Sequence, residues 1–157
     1  MTSRRNERVL VALSGGVDSA VAASILVDEG HEVEGVYVKT WEHEKDVLGD
    51  CPGAKDLADA QDVAECLGIP FEVVNFVDFY QENVVRPMVQ GYKSGITPNP
   101  DVTCNRRMKF GKLLEHTNER SFEALATGHY CRRELAEDGT PQLWEGLDKN
   151  GQHTPQS

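Results

Sequence analysis

The sequence predicts an α/β fold on a parallel sheet, and three observations carry that expectation. An apolar run at residues 8–13 stops at a glycine-rich turn, and a helical pattern follows at once. β-rich and amphipathic helical stretches then alternate along the chain, as βαβ units do. The 157 residues suffice for one domain with an apolar core and fall short of two ordinary ones.

The elements follow in order. Val9, Leu10, Val11, Ala12 and Leu13 read as a buried parallel strand, because an unbroken apolar run needs cover on both faces. Residues 19–29 carry Val21, Ala22, Ile25 and Leu26 at helical spacing, and Gly30 stops the helix. A second strand is expected at 34–39. Residues 54–67 form an amphipathic helix with Leu57, Ala60, Val63, Ala64 and Leu67 on one face, ended by Gly68. Its acidic Asp56 and Asp59 read as a solvated face rather than a metal site. A third strand at 71–75 leads to a helix at 79–92 disturbed at Pro87, a turn-rich loop at 95–100, a helix at 102–120 and a fourth strand at 123–126. Residues 142–147 are a candidate fifth strand. In such sheets ligands bind beyond the carboxyl ends of the strands, so the loops at 14–19, 39–43 and 127–130 should converge on one rim.

Composition narrows the function. A net charge of −10 argues against a broadly basic DNA-coating surface and leaves room for a local RNA-binding patch. No apolar run approaches the ~18 residues of a membrane span, and the polar, basic start does not read as a secretory signal. A cytoplasmic setting is the default. The cysteines at 51, 66, 104 and 131 form no C-x-x-C pair, which disfavours a zinc ribbon, and a reducing cytosol would keep them as thiols. Cys51, Cys66 and Cys131 are expected to be small buried apolar residues.

The sharpest signal is Ser14-Gly15-Gly16-Val17-Asp18-Ser19 between a strand and a helix. Adjacent glycines let successive backbone N–H groups turn toward one anion, and the helix start adds its positive end. Ser14 and Ser19 can donate hydroxyl hydrogen bonds. Asp18 can offer a carboxylate oxygen to Mg²⁺ beside phosphates. The Gly-Lys-Ser/Thr ending of a Walker loop is missing. The competing explanation is a glycine-rich turn whose Ser or Asp caps the next helix.

This string resembles the PP-loop of the ATP pyrophosphatases, which cleave ATP between the α and β phosphates. Further stretches single out one branch: Val38-Lys39-Thr40-Trp41; Thr97-Pro98-Asn99-Pro100-Asp101-Val102-Thr103-Cys104-Asn105; Ala126-Thr127-Gly128-His129-Tyr130; and Gly146-Leu147-Asp148. Together they resemble the tRNA-specific 2-thiouridylases over residues 9–150. The resemblance implies an adenine nucleotide α-hydrolase-like three-layer sandwich that uses ATP and Mg²⁺. Ala12, Leu13, Ser14, Gly15, Gly16, Val17, Asp18 and Ser19 would contact ATP, with Val38 against the adenine, Gly128 also at the nucleotide, and Asp18 on the metal. Asn99, Pro100 and Asp101 would meet the flipped wobble uridine of a tRNA, Cys104 would be the catalytic cysteine and His129 would contact tRNA. A cysteine desulfurase or sulfur-relay protein would donate sulfur.

These residue types suit that chemistry. A uridine 2-oxygen is a poor leaving group that adenylation turns into AMP, and a thiolate or persulfide can then displace it. Cys104, near a helix start and beside Arg106, Arg107 and Lys109, is expected to have a lowered pKa. Asp101, one turn earlier, can orient the base or a proton. Trp41 has packing and base stacking as alternatives. Arg106, Lys109 and Lys112 form either a solvated stripe or a phosphate-tracking patch.

The family pattern breaks after Asn150. A Lys-Asp-Gln run, an aromatic stretch, a second catalytic cysteine and the tRNA-holding domains belong to the family beyond that point. The expectation is an incomplete catalytic domain at 1–150 with a disordered tail at 151–157, keeping ATP binding and losing two-cysteine sulfur transfer. Two other functions compete: a PP-loop synthetase adenylating a small carboxylate, and a noncatalytic adenine-nucleotide module.

Overall fold

The computed structural model describes residues 6–42 and 52–146. Four strands, β1 (Arg8–Ala12), β2 (Glu32–Lys39), β3 (Phe71–Asn75) and β4 (Ala124–Ala126), form one sheet in the order β3-β2-β1-β4. Every pair in it is parallel, with Val11 opposite Gly35 of β2 and Ala126 of β4. The side-chain period of a strand sorts β1 into two faces. Val9 and Val11 pack with Ala23 of helix α1 (Val17–Asp28) and with Ala60 and Ala64 of helix α2 (Pro52–Leu67). Leu10 packs on the other face with Val36, Val74, Leu113 and Phe122. Helices thus cover both faces, and the three-layer α/β sandwich stands. Gly30 and Gly68 end α1 and α2 with φ of +87° and +66°. On α2 Asp56 is exposed, while Asp59 is half-buried.

Two long helices connect β3 to β4. The first, α3, runs continuously through Val77–Tyr80, a π-helical stretch Gln81–Val85 and Arg86–Lys93. Pro87 was expected to disturb this helix. The disturbance takes the form of the π stretch, which ends just before Pro87 with the Arg86 N–H reaching back to the Gln81 carbonyl. The wider turn absorbs a proline that would collide with a carbonyl in a regular α-helix. The second, α4, runs through Pro100–Cys104, π-helical Asn105–Lys112 and Leu113–Glu119. It starts two residues before the expected point because Asn99 caps it and Pro100 occupies its first position.

The candidate strand at 142–147 corresponds to β6 (Pro141–Glu145), which does not join the parallel sheet. It pairs antiparallel with β5 (Cys131–Leu135), a strand the sequence reading omitted. The link from β4 to β5 is too short for a crossover helix. Asp138-Gly139 supplies the turn: Gly139 has φ +83°, and the Thr140 N–H donates to Asp138 Oδ1 at 2.8 Å. Cys66 and Cys131 are exposed, against expectation, and Cys51 lies outside the described residues. Cys66 falls on the solvent side of α2, away from Ala60 and Ala64. Among the described residues no helix is long and apolar enough to cross a membrane.

Candidate active site

The chain leaves β1 toward β2 on one side, while β4 lies on the other. A crevice therefore opens above their carboxyl ends, where open parallel sheets bind ligands. It is a cavity of about 630 Å³, well within the range of small-molecule sites. Its walls come from the loop after β1, from β2 through Val38 and Thr40, from 127–130 after β4, and from Met108, Lys109 and Leu113 of α4.

The loop after β1 holds itself in shape. The Ser14 N–H donates to Ser19 Oγ at 3.2 Å, the Ser19 hydroxyl donates to the Gly16 carbonyl at 3.0 Å, and the Gly16 N–H donates to Ser14 Oγ at 3.4 Å. The two hydroxyl oxygens are 3.2 Å apart. Ser19 is buried and its hydroxyl proton goes to the loop, so its side chain frames the turn; the Ser14 proton is the one left to share. Gly16 is the N-cap of α1, and no side chain caps this helix. The competing explanation of the motif as a Ser or Asp cap therefore fails, and the first-turn N–H groups have no side-chain cap.

The glycines divide the work. Gly15 has φ +80°, and a Cβ there would lie 2.6 Å from the Asp56 carbonyl oxygen of α2. Gly16 is extended, with φ −91°, and a Cβ would meet Ser14 Oγ at an ordinary 3.4 Å. Only Gly15 is needed for the turn itself. Gly128 serves close approach: a Cβ would sit 2.6 Å from Ser19 N. The loop after β4 is thereby pressed against the start of α1.

Of the residues singled out in sequence, Ala12, Leu13, Ser14, Gly16, Val17, Asp18, Ser19, Val38, Gly128 and His129 line the cavity. Gly15 lies behind the loop against α2. Asn99, Pro100, Asp101 and Cys104 form the start of α4 and lie outside the cavity wall, while the next turns of that helix enter it. Asp18 is exposed at the cavity, a fitting place for one carboxylate ligand to Mg²⁺. Among the described residues no group of three or more His, Cys, Asp or Glu could cage a metal. Any Mg²⁺ here would draw its other ligands from phosphate and water.

His129 bridges the loop after β4 to α4. Its Nδ1 lies 2.8 Å from Thr127 Oγ1 and its Nε2 3.2 Å from Asn105 Oδ1. With Asn105 accepting, the proton sits on Nε2 and the threonine hydroxyl donates to Nδ1. Burial, and then the Lys109 ammonium, hold its pKa below the ordinary histidine value, so the ring is neutral near pH 7.

Cys104 contradicts the expectation of an activated thiol. Burial pushes its pKa up and the Asp101 carboxylate adds to this, against a lowering pull from Lys109. The helix start does not help, because Asn99 Oδ1 already accepts from Asp101 N–H at 3.0 Å and Val102 N–H at 3.2 Å. Tyr80, missed in sequence, belongs to this corner. Its phenol is raised by burial and then by Cys104 and Asp101, and its ring meets Trp41 edge-on at 5.5 Å. Trp41 thus packs on α3 while staying half exposed. Lys109 and Thr127 are further cavity residues that sequence reasoning left out of the site.

Comparison with known proteins agrees with this architecture. The family described as tRNA methyl transferase HUP domain matches residues 7–154. A tRNA-specific 2-thiouridylase of Akkermansia muciniphila is 51% identical over 146 residues, covering 91% of this chain and 40% of that protein. The corresponding protein of Francisella tularensis subsp. novicida is 44% identical over 149 residues, covering 95% and 41%. The chain therefore spans about 40% of the length of these relatives. Among solved structures, glutamine-dependent NAD+ synthetase from Acinetobacter baumannii, in complex with ADP, superposes with TM-score 0.53 at 22% identity over 79% of this chain and 22% of that one. A predicted subunit of tRNA methyltransferase from Methanocaldococcus jannaschii gives 0.52 at 20% identity over 85% and 60%. Both likenesses speak for the fold. A parallel sheet in the order 3-2-1-4, a self-framed phosphate loop at its switch point and a family match across nearly the whole length lead to one statement: the chain belongs to the tRNA methyl transferase HUP-domain family.

Proposed function

We propose that this chain carries the ATP-dependent activation step of tRNA wobble-uridine 2-thiolation and supplies one of the sulfur-handling cysteines. One observation carries the reading. A single cavity is walled on one side by an uncapped phosphate loop and on the other by the helix that begins with Asn99, Asp101 and Cys104. The identity to 2-thiouridylases supports it.

In this reading the N–H groups at the start of α1 hold the β and γ phosphates, Val38 lies against the adenine and Gly128 leaves room for the nucleotide. The uracil 2-oxygen attacks the α phosphorus. The bond from that phosphorus to the bridging oxygen breaks, pyrophosphate leaves with the electron pair, and the N3 proton is lost. Mg²⁺, held in part by Asp18, supplies charge neutralisation at the phosphates. A persulfide on Cys104, delivered by a cysteine desulfurase or sulfur-relay protein, then attacks C2, and AMP leaves. A second thiolate attacks the cysteine sulfur of the resulting C2–S–S–Cys adduct, forming a disulfide and leaving sulfur on the base, which regains its proton at N3. Asn99, Pro100 and Asp101 orient the base, and His129 lies where tRNA passes.

The test is pyrophosphate release from ATP and Mg²⁺ with unmodified tRNA. Release that needs tRNA and falls on the order of 100-fold in Asp18→Ala supports the reading. A folded protein that releases none loses it. Methyl transfer, the wording of the family description, would give no pyrophosphate, so the same assay separates the two.

A further inference from the structure

Lys109 stands out among the charges of the cavity. Among the described residues it is the one lysine or arginine in the cavity wall. No carboxylate pairs with it among the described residues, whereas Lys39 pairs with Glu42 at 3.0 Å and Lys112 with Glu115 at 3.5 Å. The expected stripe of Arg106, Lys109 and Lys112 is therefore split. The π-helical turn of α4 spreads residues that a regular helix would stack, leaving Arg106 exposed and bringing Lys109 to the cavity. His129, the other basic group in the wall, is kept neutral by burial and then by Lys109 itself. A nucleotide phosphate in this cavity thus has one full positive side-chain charge to meet.

The position of that charge says which phosphate it meets. The pyrophosphate end belongs to the start of α1, where the first-turn N–H groups are free. Lys109 lies in the cavity wall on α4, in the turn after Cys104, and its field reaches both the Cys104 thiol and the His129 ring. It shares the cavity with the phosphate loop and acts on the thiol, and the phosphoryl group that stays on the base must come near both. We infer that Lys109 binds the α-phosphate, stabilising its charge as pyrophosphate leaves and again as AMP leaves. This rests on reading the cavity as an ATP site.

Binding of adenosine, AMP and ATP to the full 157-residue chain tests it by calorimetry, with Lys109→Met and Lys109→Arg beside the wild type. A lost charge-assisted contact to the α-phosphate should weaken AMP and ATP by roughly ten- to a hundredfold and leave adenosine within about twofold. Lys109→Arg keeps the charge and should recover most of the affinity; it also serves as the folded comparator if the methionine variant is unstable. Equal losses for adenosine and AMP would mean a packing role and overturn the inference. A loss for ATP with AMP unchanged would move Lys109 to the pyrophosphate and overturn it too, as would a wild type that binds neither nucleotide. The thiolation reading fails separately: AMP binding that depends on Lys109, without tRNA-dependent pyrophosphate release, keeps the contact and removes the tRNA.

Discussion

Two helix starts face the candidate site, and they are built in opposite ways. At α1 the N-cap is Gly16, with no side chain on the first-turn N–H groups. At α4 the N-cap is Asn99, whose Oδ1 takes the N–H groups of Asp101 and Val102. A helix start acts as a positive site only while its donors are unoccupied. The first therefore leaves its donors open to an anion, and the second has two of them already occupied. Cys104, five residues into α4, therefore gains nothing from the helix start, and burial keeps its pKa raised.

The largest test of this contrast uses the adjacent glycines. Gly15→Ala should destabilise the fold by about 2–4 kcal/mol, from a left-handed backbone and the Asp56 collision together. Gly16→Ala should stay within about 0.5 kcal/mol, because φ −91° and a 3.4 Å neighbour suit alanine. Thermal unfolding of the two variants reads the difference. Equal midpoints would show that Gly15 is not the braced position.

Asn99→Ala comes next. Loss of the cap should cost about 1 kcal/mol, seen as a midpoint lower by roughly 2–4 °C. An unchanged midpoint would mean that the α4 cap is not formed in solution.

The smallest effect is in pH dependence. Cys104 is raised from 9.0, so its alkylation rate should reach half-maximum above that pH. Asp101→Asn removes a raising charge and should move the profile down, and Lys109→Met removes a lowering one and should move it up. For stability the sign follows from linkage. Below pH 9.0 the thiol is protonated in both states, and as pH rises through the folded pKa the unfolded chain loses its proton first, so the fold weakens there. A Cys104 profile centred well below 9.0 would mean that the helix start is active after all.

How much was legible in the sequence follows the same division. The phosphate loop was, because glycine, serine and a strand-to-helix junction leave few backbone solutions, and of residues 14–19 all but Gly15 line the cavity. The switch-point rim was too, since the alternating pattern fixes parallel order. The state of Cys104 was not, because it depends on burial and on a cap from Asn99, and a count of nearby basic residues registers neither. Strand β5 escaped because Cys131-Arg132-Arg133-Glu134-Leu135 lacks an apolar alternation, although the Asp138-Gly139 turn marked the hairpin. The π-helical turns were illegible because tertiary packing, not local propensity, selects them.

Those wide turns have a consequence for insertions and deletions. A π-helical turn holds one residue more than an α-helical turn, so it stands for an extra residue absorbed without breaking the helix. Removing any one of residues 105–108 would let the run close into regular helix. Everything before it would then swing by roughly 100° about the axis. Cys104 and Lys109 would no longer face the same space, although both side chains remained. In this helix the number of residues constrains the site as tightly as their identities do.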